Sequence, residues 1–86
     1  MNDNTGDAVA AEVIHLVAEV LAMDPARLHE DTRAEEVEGW DSFALVRMVF
    51  AIEAAFPVRF TLAEIEGIDG IAPLIAVVRQ KAEPAA

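Results

Sequence analysis

The sequence predicts an all-α fold: a small bundle of three main helices and one short one, with a long loop between the first two. Three observations point there. Seventeen alanines stand against four glycines and no tyrosine, and alanine has the highest intrinsic helix propensity. Apolar residues recur at the 3.6-residue helical period, and few β-branched residues alternate as they would in a strand. Capping vocabulary, Asp24-Pro25, Asp41-Ser42 and Thr61-Leu-Ala-Glu64, punctuates the chain between the periodic segments.

The first helix is expected over about residues 8–22. Val9, Val13, Leu16, Val17, Val20 and Leu21 fall on one stripe, with Glu12, His15 and Glu19 outside it and Asp7 placed to cap the start. The pattern stops at Met23-Asp24-Pro25, where Asp before Pro reads as the N-cap and first position of a short turn through Leu28. From Asp24 to Trp40 follows a long acidic loop whose large apolar residues are Leu28, Val37 and Trp40. Loops of this length are often functional, and those three residues should pin it to the helices.

Residues 41–56 make the second helix, capped by Asp41 and stopped by Pro57. After Ser42 its polar residues are Arg47 and Glu53. An 86-residue chain cannot bury such a helix on all sides, so an exposed apolar strip is expected. The expected core set is Phe43, Val46, Val49, Ile52 and Phe56, leaving Ala44, Leu45, Met48, Ala51 and Ala55 partly outside. Thr61 and Glu64 form a capping box for a short third helix that Gly67 interrupts. Asp69 or Gly70 then caps a fourth helix to about residue 81, with Pro73 in its first turn and Ile71, Leu74, Ile75 and Val78 facing inward. The domain is thus 7–81, between flexible ends at 1–6 and 82–86.

Composition narrows the function. One domain of this size excludes large barrels and two-domain enzymes, and its expected radius of gyration is about 12 Å. Leu, Ile, Val and Phe total 26 residues, so the formal charge of −10 belongs to a folding chain rather than a disordered one. That charge repels polyanions and argues against nucleic acid as a partner. No secretory signal and no membrane-length apolar run is recognisable, so a cytoplasmic location is expected. With no cysteine there is no thiolate nucleophile and no zinc site of the usual kind. His15 and His29 lie far in sequence from Ser42, which disfavours a serine hydrolase. Glu35, Glu36 and Glu38 lack the spacing of a calcium loop, and no metal site is expected.

Ser42 has a physical case of its own. Its hydroxyl should be exposed at the start of the most apolar helix, where unpaired N–H groups would favour a phosphodiester. The bland alternative is that Ser42 only assists capping. The order of elements around Gly39-Trp40-Asp41-Ser42-Phe43 resembles the acyl carrier proteins, whose attachment motif is Asp-Ser-Leu. The resemblance covers about residues 8–81, including Met23-Asp24-Pro25, Asp31-Thr32, Glu53-Ala-Ala-Phe56 and Val58-Arg59-Phe60.

The resemblance implies that a phosphopantetheinyl transferase moves 4′-phosphopantetheine from coenzyme A onto Ser42, with Asp41 orienting that enzyme's metal-bound complex. The protein would then be no enzyme itself: it would carry an acyl or aminoacyl group as a thioester and present it to loading, modifying and transferring enzymes with basic docking patches. It implies partner-facing roles for Phe43, Ala44, Arg47 and Met48, and arm or cargo contacts for Trp40, Val46, Val49, Ile65 and Ile68. A monomer without membrane insertion is expected.

Departures from the family pattern bear on the pathway. Phe43 replaces the usual Leu, and Ala34 stands where many members place a larger loop residue, which would either loosen the loop or enlarge the space between helices. Housekeeping fatty-acid carriers have a markedly acidic outward face on the second helix, whereas this chain has Ala44, Arg47, Ala54 and Ala55 there, which suggests a specialised route in lipid or secondary-metabolite biosynthesis. Two readings compete with the carrier: an interaction module whose apolar second helix docks a partner helix, and a small hydrolase using Ser42.

Overall fold

The computed structural model describes residues 5–82; of the ends expected to be flexible, 1–6 and 82–86, residues 1–4 and 83–86 lie outside the described residues, while 5, 6 and 82 belong to the terminal helices. The order is α1 (Thr5–Leu21), two 3₁₀ turns (Pro25–Arg27 and Ala34–Glu36), α2 (Ser42–Ala55), α3 (Leu62–Glu66) and α4 (Ile71–Ala82). Helix α1 begins two residues before Asp7, so Asp7 is not its cap. The radius of gyration, 12.3 Å, agrees with the size expectation.

Helix α1 packs on both α2 and α4. Its apolar stripe is centred on Val13 and Val17, with Ala10 and Ala18 completing the buried face, while Val9, Leu16, Val20 and Leu21 flank it half-buried. It ends in a Schellman motif: Met23 N donates to Ala18 O (3.0 Å) and Ala22 N to Glu19 O (3.2 Å). Ala22 is held at φ 56°, a left-handed conformation in which glycine is the usual occupant. Helix α4 buries Ile71, Leu74, Ile75 and Val78 as expected, and the buried core contains no polar or charged residue among the described residues.

The long connection is more ordered than its polarity suggests. Asp24 caps the first 3₁₀ turn by accepting from Ala26 N (2.9 Å), and Glu36 Oε1 accepts from Arg33 N (3.0 Å) at the second. Leu28 is buried, and Val37 and Trp40 pack against the core. Between them the chain crosses the start of α4, where Ala34 N donates to Asp69 O (2.8 Å) and Ile71 N to Thr32 O (3.0 Å). Gly70 permits this crossing, because a Cβ there would lie 2.7 Å from Thr32 O and 3.1 Å from Arg33 Cα.

Helix α2 differs from expectation in its rotation about its own axis. Its buried residues are Ala44, Leu45, Met48, Val49 and Ile52, whereas Phe43 is 74% and Val46 41% exposed and Phe56 is half-buried. Of the expected inward set, Val49 and Ile52 are fully in the core. The reason lies in the sequence pattern: a helix apolar nearly all round carries little contrast from which to read its phase. Packing against α1 then decides, and it takes in the face lined by Leu45, Met48 and Ile52 while leaving the Phe43 and Phe50 rings outside.

The short helix α3 is closed by its capping box, with Glu64 N donating to Thr61 Oγ1 (3.1 Å) and Thr61 N to Glu64 Oε1 (2.8 Å). Glu64 also pairs with Lys81 of α4 (2.8 Å), and Lys81 Nζ donates to Arg59 O (2.7 Å). The Lys81 hydrogen bond, followed by the Thr61 N–H bond, holds the Glu64 carboxyl below its ordinary value of 4.5.

Candidate functional site

Ser42 is the first residue of α2 and is exposed. Capping of that helix is done by its neighbour: Asp41 Oδ1 accepts from Ala44 N (2.8 Å), and Asp41 O accepts from Leu45 N (2.9 Å). The Ser42 hydroxyl makes no hydrogen bond with any described residue, so the capping explanation of this serine is answered by Asp41. Gly39, at φ 92°, turns the chain into the helix in a conformation that other residues rarely adopt. It places Trp40 half-buried and leaves Asp41 and Ser42 at the surface.

Beside Ser42 lies an open cleft of about 350 Å³ walled by Ala34, Trp40, Leu45 and Ile68, with Arg33, Glu35 and Asp69 around it. Its walls join the second 3₁₀ turn, the head of α2 and the segment before α4, the first and last of which the loop-crossing hydrogen bonds hold together. Arg33 and Glu35 form an exposed ion pair (3.3 Å). Of the residues expected to contact the arm or cargo, Trp40 and Ile68 wall this cleft. Val46 does not, because it points outward, and Val49 and Ile65 are core or core-flanking residues that do not wall this cleft. Leu45, expected partly outside, joins Trp40 and Ile68 in the wall as a consequence of the rotated helix. Ala34 lies in the wall of this cleft.

Of the four residues expected to face a partner, Phe43 and Arg47 are exposed. Ala44 and Met48 are buried, at 6% and 0% exposure, and cannot face one, because they lie on the side of α2 turned to the core. His15 and His29 line depressions other than the one beside Ser42. Among the described residues no cluster of three His, Cys, Asp or Glu side chains is arranged to hold a metal ion, and no helix is long and apolar enough to cross a membrane.

A covalently attached phosphate-bearing arm fits this arrangement. The hydroxyl is accessible and unbonded, and the Ser42 and Phe43 N–H groups at the helix start have no acceptor among the described residues. The cleft offers an apolar wall next to them.

No curated protein and no solved structure matches the chain significantly. The family model for the phosphopantetheine attachment site matches residues 11–78, a span that takes in most of α1, the long connection, the Asp41-Ser42 turn with α2, α3 and most of α4. The chain therefore belongs to the phosphopantetheine-attachment family, the acyl carrier proteins among it, and is a carrier that bears 4′-phosphopantetheine as a covalent cofactor.

Proposed function

We propose that Ser42 is the residue that takes the phosphopantetheine arm, and that the chain presents an acyl or aminoacyl group to the enzymes of a specialised biosynthetic pathway without catalysing a reaction itself. The observation that carries this reading is the exposed, unbonded Ser42 hydroxyl at the head of α2, with capping assigned to Asp41. The arm supplies a terminal thiol on which a group is held as a thioester.

The chain's own residues prepare the site. Asp41 fixes the first turn through its Oδ1 and leaves its second carboxylate oxygen without a partner among the described residues, available to orient the metal-bound donor complex of the transferase. The open N–H groups of Ser42 and Phe43 favour the phosphodiester electrostatically. Trp40, Leu45 and Ile68 offer apolar surface beside it, and Ala34 leaves that surface open. A specialised pathway is supported by the exposed face of α2, which carries Arg47 in place of the acidic residues that housekeeping partners select. The protein acts as a monomer in the cytoplasm on this reading.

Incubation with coenzyme A, magnesium and a broad-specificity phosphopantetheinyl transferase, read by intact-protein mass spectrometry, tests the assignment. One phosphopantetheinyl addition on the wild type and none on Ser42→Ala is expected. Addition to Ser42→Ala, or none to folded wild type with several transferases, would reject it.

A further inference from the structure

The outward stripe of α2 is apolar along its length and carries its charge as a cation. Phe43, Val46, Arg47, Phe50 and Ala54 follow at i, i+3, i+4, i+7 and i+11, within about 100° of the helix circumference, and all five are exposed. Phe43 is 74%, Val46 41% and Phe50 66% exposed. Isolated apolar residues on a surface need no explanation, but a contiguous row of them marks a contact surface. Glu53, the one carboxylate of α2, does not offset Arg47: it is half-buried and its Oε2 accepts from Phe60 N (2.9 Å). Arg47 itself has no ion pair or hydrogen bond from its side chain to any described residue. The acidity of the chain lies elsewhere, with Glu35, Glu36 and Glu38 exposed around the second 3₁₀ turn.

The geometry points to this stripe as a docking strip for a partner protein that presents an apolar groove with a carboxylate set against Arg47, in place of a basic patch. The inference rests on the reading of Ser42 as the attachment site, which puts the strip one residue from the point a partner must reach. Charge complementarity decides the occupant. A basic surface laid along α2 would meet Arg47 with like charge and find no carboxylate on the stripe itself for its own cations, leaving charges desolvated without partners. An apolar groove takes the Phe43 and Phe50 rings, spaced about 10 Å apart along the axis, and a carboxylate between them takes the guanidinium through paired hydrogen bonds. A second copy of the chain fits less well, since two molecules of charge −10 repel.

The test is a charge-swap cycle read as binding by titration calorimetry, which needs no arm on the chain. The probe is an acyltransferase that docks acidic-helix carriers through a basic patch, used in native form and with the patch cations facing the carrier helix changed to glutamate. Wild type is expected to bind the charge-reversed enzyme at least about tenfold more tightly than the native one. Arg47→Glu should reverse that preference, Arg47→Gln should fall between them, and Phe50→Ser should weaken every pairing. The preference should shrink as salt is raised. Ratios within about twofold in all pairings, or a wild-type preference for the native basic enzyme, would overturn the inference. Failure of the Ser42 reading shows separately, as the absence of added mass after transferase treatment.

Discussion

Alanine substitutions at Met48 and Phe43, made separately, test the rotation of α2, on which both the core and the presented strip depend. Met48 has no exposed surface, while Phe43 is 74% exposed. Truncating Met48 removes about three methylene-sized groups from the interior at ~0.8 kcal/mol each, about 2.4 kcal/mol in transfer free energy. A residual cavity of roughly 40 Å³ adds ~1 kcal/mol at about 24 cal/mol per Å³. The expected loss is therefore ~3–4 kcal/mol, against a total stability of about 4–13 kcal/mol for a chain of this length. At Phe43 only about a quarter of the side chain is covered, so truncation should cost ~0.5 kcal/mol, and the higher helix propensity of alanine returns part of that. Urea unfolding followed by circular dichroism at 222 nm separates the two. With a slope near 1 kcal/mol per M, Met48→Ala should lower the midpoint by about 3 M and Phe43→Ala by under about 1 M. A loss at Phe43 equal to or above that at Met48 would mean that α2 is turned the other way, with Phe43 and Val46 inside.

Substitutions at four other positions probe the site and its supports. Asp41→Asn retains a capping oxygen and removes the charge, whereas Asp41→Ala removes both and should also cost ~1 kcal/mol of stability; both should slow Ser42 modification in a timed mass-spectrometric assay, and an Asn variant modified at the wild-type rate would reject the charge role. Gly70→Ala forces a Cβ into Thr32 O, so it should destabilise by ~1–3 kcal/mol and strip hydrogen-exchange protection from the Ala34 and Ile71 amides. Ala22→Gly relieves the left-handed backbone at the end of α1 and should stabilise by ~1 kcal/mol in urea unfolding. Glu64 has its folded pKa below the ordinary 4.5, so its contribution is present above that value and is lost as pH falls through the lower folded one. Wild type should exceed Glu64→Gln in thermal midpoint at neutral pH, and the gap should close on acidification through this window; a gap independent of pH would dismiss the Lys81 pairing as its source.

Much of this protein follows from local chemistry. The caps at Asp24, Asp41 and Thr61 were legible because a side-chain oxygen bonds an N–H two or three residues on, a relation that needs no tertiary contact. The inward faces of α1 and α4 were legible because charged and apolar residues alternate around them with strong contrast. Ser42 stood out for the same reason: it follows a capping aspartate at the head of a helix, within a motif that resembles a known attachment sequence. The pinning of the loop by Gly70 was not legible, since it depends on Thr32 and Arg33 passing close to the start of α4, a meeting between segments almost forty residues apart.

The sequence by itself determined the helices, the capped starts of α2 and α3, the acidic loop and the serine at the head of α2, because each is set by neighbours within a turn or two along the chain. Only the tertiary structure decided which side of α2 is outside. That helix is apolar almost all round, so propensity and periodicity assign it no orientation, and packing against α1 selected Ala44, Leu45, Met48, Val49 and Ile52 for the core. The same choice put Leu45 in the wall of the cleft, withdrew Ala44 and Met48 from any partner, and left Phe43, Arg47 and Phe50 as the surface beside Ser42.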